Sequence, residues 1–173
     1  MKKLNKMREI LISIRPQWCE KIASGEKTIE VRKTAPKEVP FKAYIYCTKA
    51  KSQSRYSYYE GAYENSKGEI VYAQQHVIGE FICDEVEEFH EWELSPQGKF
   101  LDFERERLEN FLTAACLSEE EVVRYRENLP YCKPLYGWHI SDLKIYDKPL
   151  SLSELGVNRP PQSYMFVEEL KEV

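Results

Sequence analysis

A chain of 173 residues can enclose one core, and 42% apolar residues place it outside the disordered class. The longest apolar run near the N-terminus, Ile10-Leu11-Ile12, is too short for a membrane span or a signal-peptide core, so a cytoplasmic protein with no membrane partner is expected. The net charge of −4 hides an asymmetry: residues 1–60 carry 14 Lys/Arg against 6 Asp/Glu, and residues 61–130 carry 6 against 17. A basic segment in an acidic chain can attract anions or be neutralised across the fold, and the sequence leaves both open.

Ile10 to Ile14 reads as a first strand. Pro16 suits the first turn of a helix, where its missing N–H costs nothing. Trp18, Cys19, Ile22 and Ala23 form one apolar face of that helix, and Gly25 ends it in a left-handed conformation. A strand from Thr28 to Lys33 follows, with Ile29 and Val31 on one face and Thr28, Glu30 and Arg32 on the other. Phe41 to Thr48 alternates again. Residues 49–68 are polar, with Tyr56, Tyr58, Tyr59 and Tyr63 among them, and read as a long loop outside the core.

Val77 to Cys83 resumes strand character, with Gly79 a candidate bulge. An acidic stretch runs from Asp84 to Glu93. Phe100 to Ala115 has helical spacing, and Ser118-Glu119-Glu120-Glu121 is a capping box that starts another helix. Leu135 to Ile140 and Leu143 to Tyr146 read as late strands. Ser151 caps a short turn that Gly156 ends, and Tyr164 to Leu170 closes the chain as a strand. The order predicts an α+β fold or a barrel with added helices, as one domain over 1–173.

The five cysteines and three histidines are scattered, with no paired ligands at short spacing, so no metal is called for. The cysteines read mostly as small buried apolar residues. Glu85-Val86-Glu87-Glu88 reads as a solvated face rather than a metal site. Phosphate-loop, dinucleotide, nucleophile-elbow and HExxH motifs are absent, and no cofactor is implied.

The densest chemical signal is Lys27, Glu30 and Arg32. Two cations and a carboxylate beside a glycine turn can grip a phosphate or a polar base edge. An amine can also serve as base or nucleophile when burial or a neighbouring cation favours its neutral form. Spacing alone favours a salt-bridged turn on the surface, since charged strand faces are usually solvated. Trp18, Tyr136, Trp138 and the loop tyrosines are candidate stacking surfaces for bases, and Trp18 and Trp138 read equally as core.

Gly25-Glu26-Lys27-Thr28-Ile29-Glu30-Val31-Arg32 resembles the GxKxxExR signature of the ASCH domains, named for activating-signal-cointegrator homology. Ala43-Tyr44-Ile45-Tyr46-Cys47 and Val77-Ile78-Gly79-Glu80-Phe81 resemble strands of that family. So do Tyr136-Gly137-Trp138-His139-Ile140 and the closing Pro160-Pro161-Gln162-Ser163-Tyr164. The resemblance implies a PUA-like β-barrel with peripheral helices, a Tyr-rich insertion near 49–76 and an acidic, helical insertion near 84–130. It implies an RNA-linked role, with the signature lining a cleft. Some members are ribonucleases. A compact bacterial branch is an amidohydrolase on N4-acetylated cytidine, using the signature lysine, a threonine at the position of Glu30 and a glutamate from a later helix. This chain departs there: Glu30 replaces the threonine, and Thr113 falls where the late glutamate would be, with Glu109 one turn earlier.

Three functions follow as expectations. RNA or a nucleotide would bind Arg15, Trp18, Lys27, Glu30, Arg32, Lys49 and Ser163, the cations on phosphate and Glu30 on a base edge or ribose hydroxyl. An enzyme, ribonuclease or amidohydrolase, would use Lys27 and Glu30 as catalytic residues. A protein-interaction module would use the Tyr-rich loop and the acidic segment.

Overall fold

Strand β1 (Arg8–Ile14) is buried on both faces beyond its first residue. Ile10, Ile12 and Ile14 enter the main core, while Leu11 enters a second cluster on the opposite face. Two-sided burial is the reason for a continuous apolar run where a half-buried strand would alternate. The computed structural model that shows this describes residues 6–90 and 102–168.

Helix α1 (Pro16–Ala23) buries Pro16, Cys19 and Ile22, and Gly25 leaves it at φ +80°. That left-handed turn costs an L side chain energy and costs glycine little. Then come β2 (Ile29–Arg32), β3 (Phe41–Cys47), the two-residue strands β4 (Tyr63–Glu64) and β5 (Ile70–Val71), β6 (Val77–Cys83) and β7 (Val86–Phe89). Helices α2 (Asp102–Ala115) and α3 (Glu119–Arg126) precede β8 (Leu135–His139), β9 (Ser141–Leu150) and β10 (Tyr164–Val167). The capping box on α3 is formed in both directions between Ser118 and Glu121.

A five-stranded sheet runs β10-β1-β3-β6-β9, and a three-stranded sheet runs β2-β8-β7. Among the described residues only β1 and β3 pair in parallel; the other ladders are antiparallel. The fold is α+β. Among the described residues no ladder closes the sheets into the expected barrel. The chain instead turns a corner between sheets at Cys83–Val86 and again at His139–Ser141. There the His139 amide donates to the Glu85 carbonyl and the Ile140 amide to the Thr28 carbonyl.

The sheets pack face to face. Trp138 of the small sheet is fully buried, with its ring edge-on to Phe41 at 5.1 Å and to Tyr164 at 5.3 Å. The outer face of the small sheet, Ile29, Val31, Phe89 and Leu135, is covered by Leu108, Phe111 and Ala115 of α2 and Val122 of α3. The outer face of the large sheet is covered by Leu155 and Val157. Trp138 is therefore core and not a stacking surface, and Tyr136 packs partly against the same core.

Two expectations change here. The 49–68 stretch is not a featureless loop: it holds a 3₁₀ turn over Ser57–Tyr59 and the strand β4. Tyr63 is core, its hydroxyl donating to the Tyr146 carbonyl at 2.6 Å. The acidic stretch contributes β7, which pairs with β8. Its continuation from 91 to 93, the expected helix start at 100–101, and positions 169–170 of the last strand lie outside the described residues.

Gly79 and the cysteines give tests of this packing. A Cβ at Gly79 would stand 2.4 Å from the Lys144 carbonyl oxygen of the neighbouring strand. Gly79→Ala should lower stability by about 1–3 kcal/mol in urea unfolding; an unchanged midpoint would contradict the close approach. Cys19, Cys47 and Cys83 are buried, Cys116 is half-buried and Cys132 is exposed. Burial pushes the Cys83 thiol up to about 12. A thiol reagent at mildly alkaline pH should label Cys132 first and reach the three buried cysteines only after unfolding, as read by peptide mass mapping.

Candidate functional site

The turn after α1 delivers Lys27 to the end of α2. The Lys27 amide donates to the Lys21 carbonyl at 2.9 Å, and the Thr28 amide donates to the Ala114 carbonyl at 2.8 Å. The side chain continues inward, and Nζ donates to the carbonyl of Ala115, the last residue of α2, at 2.6 Å. A cation on the terminal carbonyls of a helix satisfies an otherwise orphan acceptor and suits the helix dipole.

Alternation along β2 supplies the rest. Ile29 and Val31 face the helices, so Glu30 and Arg32 face the space between the sheets. Lys27 Nζ lies 3.5 Å from Glu30 Oε2, and Arg32 Nε lies 3.0 Å from Glu30 Oε1. Arg32 Nη2 donates to the Ser13 carbonyl at 2.5 Å. The Nε approach is an ion pair without hydrogen-bond alignment. Lys27, Glu30 and Arg32 are 2%, 6% and 8% exposed. The salt-bridged surface turn suggested by spacing is thus corrected: this is a buried chain of charges joining α2, β2 and β1.

The triad lines a cleft of about 650 Å³. Arg15, Trp18 and Lys49 lie on its walls, with Lys51, Gln162 and Tyr125. The Trp18 ring is 5.1 Å from Lys27 Nζ, so the tryptophan is a wall residue that also contacts the buried cation. By formal charge the lining carries Arg15, Lys27, Arg32, Lys49 and Lys51 against Glu30, Glu60 and Glu121.

Solved structures from Zymomonas mobilis share this architecture. The ASCH protein of that organism matches with a TM-score of 0.60 at 19% identity, covering 94% of this chain and 89% of that one. Two of its mutant forms match with TM-scores of 0.61 and 0.62 at 18% identity. The chain has the fold of an ASCH domain. No protein-family model and no curated protein matches the sequence.

Within this ASCH fold, Arg15, Trp18, Lys27, Glu30, Arg32 and Lys49 meet at one cleft. Ser163 is not on its wall: its carbonyl accepts from the Ser13 amide at 2.9 Å, so its visible part is to hold the chain beside β1, while Gln162 faces the cleft. Thr113 and Glu109 are exposed on α2, outside the lining. A later helix does bring Glu121, on the first turn of α3, to the cleft wall, with its Oε2 accepting from the Ser118 amide at 2.8 Å. Sequence reasoning located Glu121 by its capping box, but no local signal showed that α3 folds over β2. Tyr125, one helical turn later, was missed for the same reason.

A second group forms on the other side of β8. His139 Nε2 lies 2.6 Å from Glu87 Oε1, and ligand atoms of Glu85, Glu87 and His139 lie within 4.8 Å of one another. Together they could hold a metal ion. Arg107 stands 3.9 Å from Glu87 and already offsets part of that charge.

Removing the central carboxylate tests the triad. Glu30→Gln leaves two buried cations uncompensated and should cost about 3–5 kcal/mol in urea unfolding. The exposed pair Lys21–Glu26, at 3.0 Å, is the control, and Glu26→Gln should leave the unfolding midpoint nearly unchanged. Equal effects would mean that the triad is solvated.

Proposed function

We propose that the cleft binds RNA or a nucleotide and serves in RNA metabolism. Arg15, Lys27, Arg32 and Lys49 would engage phosphate, and Glu30 a base edge or ribose hydroxyl. The observation that carries this reading is the burial of two cations against one carboxylate at the floor of a 650 Å³ cleft. A buried formal excess of positive charge, two cations on one carboxylate, is well suited to an anion. The volume lies in the usual range for small-molecule sites. Trp18 and Tyr125 would provide ring faces for a base. The reading takes the two sheets as counterparts of the PUA-like barrel that the signature implies.

A second reading is favoured by one observation: Glu121 lines the same cleft as Lys27 and Glu30. In it the protein hydrolyses RNA or an N4-acetylated cytidine nucleoside, with Lys27 as base or nucleophile and Glu30 as its partner. Lys27 would then have to release the Ala115 carbonyl.

Titration of the folded protein with labelled single-stranded RNA, at several salt concentrations, tests the first reading. Affinity should fall with salt, with a log–log slope of about 0.7 per phosphate contact. Arg15→Ala and Lys49→Ala alter exposed residues and should each weaken binding and flatten that slope. Absence of binding to RNA and to mononucleotides at low salt would overturn the proposal. Product analysis of the same mixtures, with N4-acetylcytidine added, decides the second reading: intact substrates would exclude it.

A further inference from the structure

Beside Glu60 of the cleft wall lies an exposed aromatic surface that the triad does not explain. The rings of Tyr58 and Tyr59 lie with centroids 3.9 Å apart and planes tilted by 35°, and Tyr72 lies 5.7 Å from each. All three are about half exposed, as is Tyr56. Arg55 places its guanidinium 4.7 Å from the Tyr56 ring centre. Large aromatic rings left in water as a group mark a contact surface.

The surface is fastened to the cleft. Gln74 Nε2 donates to the carbonyls of Ser57 at 2.6 Å and Glu60 at 3.0 Å, and Gln74 Oε1 accepts from the Ala50 amide at 2.9 Å. Ala50 and Glu60 line the cleft, and Glu60 adjoins Tyr59 in the chain. Gly61 packs against Pro16 at the start of α1, where an added Cβ would meet Pro16 at 3.0 Å. One side chain and one close backbone approach therefore hold the tyrosines at the cleft rim.

Charge selects the partner. Between the cleft floor and the rings, residues 49–60 carry Lys49, Lys51 and Arg55 against Glu60. The intervening Ser52, Gln53, Ser54 and Ser57 are polar. Rings interleaved with cations along a path suit a single-stranded nucleic acid, whose bases stack while its phosphates are neutralised.

The geometry points to a binding site for a single strand of RNA several nucleotides long: one nucleotide enters the Lys27–Glu30–Arg32 cleft, and the following bases stack on Tyr58, Tyr59 and Tyr72. This rests on the RNA-binding reading of the cleft and adds that the ligand is a strand and not a free nucleotide.

Fluorescence anisotropy with RNAs from a mononucleotide up to roughly eight nucleotides tests it. The longer strand should bind more tightly than the mononucleotide. Tyr59→Ala and Tyr72→Ala should each weaken the longer strand by about 5- to 150-fold and leave mononucleotide binding unchanged. Tyr59→Phe, which keeps the ring, should restore the affinity. Equal affinity for all lengths, or indifference of the long strand to both alanine variants, would overturn the strand site while the cleft reading stands. Failure of the wild-type protein to bind either ligand would overturn both. Circular dichroism of the exposed-site variants checks that they fold.

Discussion

Everything at this site depends on keeping two cations and one carboxylate out of water. Withdrawing an ion from water costs several kcal/mol even after relaxation, and Coulomb attraction repays it only with good geometry and further hydrogen bonds. Here Lys27 spends a donor on the Ala115 carbonyl and Arg32 spends one on the Ser13 carbonyl, with Glu30 between them. The charges therefore bind the end of α2 to β2 and β2 to β1. That linkage spans the gap between the two sheets at the place where the cleft opens. A hydrophobic plug could hold the sheets together there as well, but it would leave nothing for a polar ligand to meet.

The surrounding fold serves the same end. Phe41, Trp138 and Tyr164 fill the space between the sheets, with Trp138 directly opposite Glu30 in the β2–β8 ladder. Gly79 lets β9 approach β6 more closely than any side chain would permit. Ser13 works twice: its carbonyl accepts from Arg32, while its hydroxyl donates to the Pro161 carbonyl at 2.7 Å. The C-terminal Pro-Pro-Gln-Ser element is thus held against β1 by the same residue that anchors the triad. A rigid support of this kind is what a binding site requires if its first contacts are to be preorganised.

Much of the fold was legible in local patterns. The alternation in β2 and β3, proline at the start of α1, glycine at its end and the capping box on α3 each depend on a few adjacent residues, and the structure has all of them. The cleft was legible only as a motif. Lys27, Glu30 and Arg32 could be named, but charged residues on a short strand are more often solvated than buried. Tyr63 was misread because its neighbours are polar, and β7 was not assigned because its sequence is acidic; in both cases partners from distant strands override the local composition.

The sequence by itself determined which side chains share a face, because strand and helix periods follow from backbone geometry. It therefore placed Glu30 with Arg32 and opposite Ile29 and Val31. Only the tertiary structure decided that this charged face looks into the protein. That outcome depends on Ala115, Ser13 and Trp138, which stand far away in the chain and come to β2 through the packing of two sheets and a helix end. Periodicity can say that two residues point the same way; what they point at is a property of the whole fold.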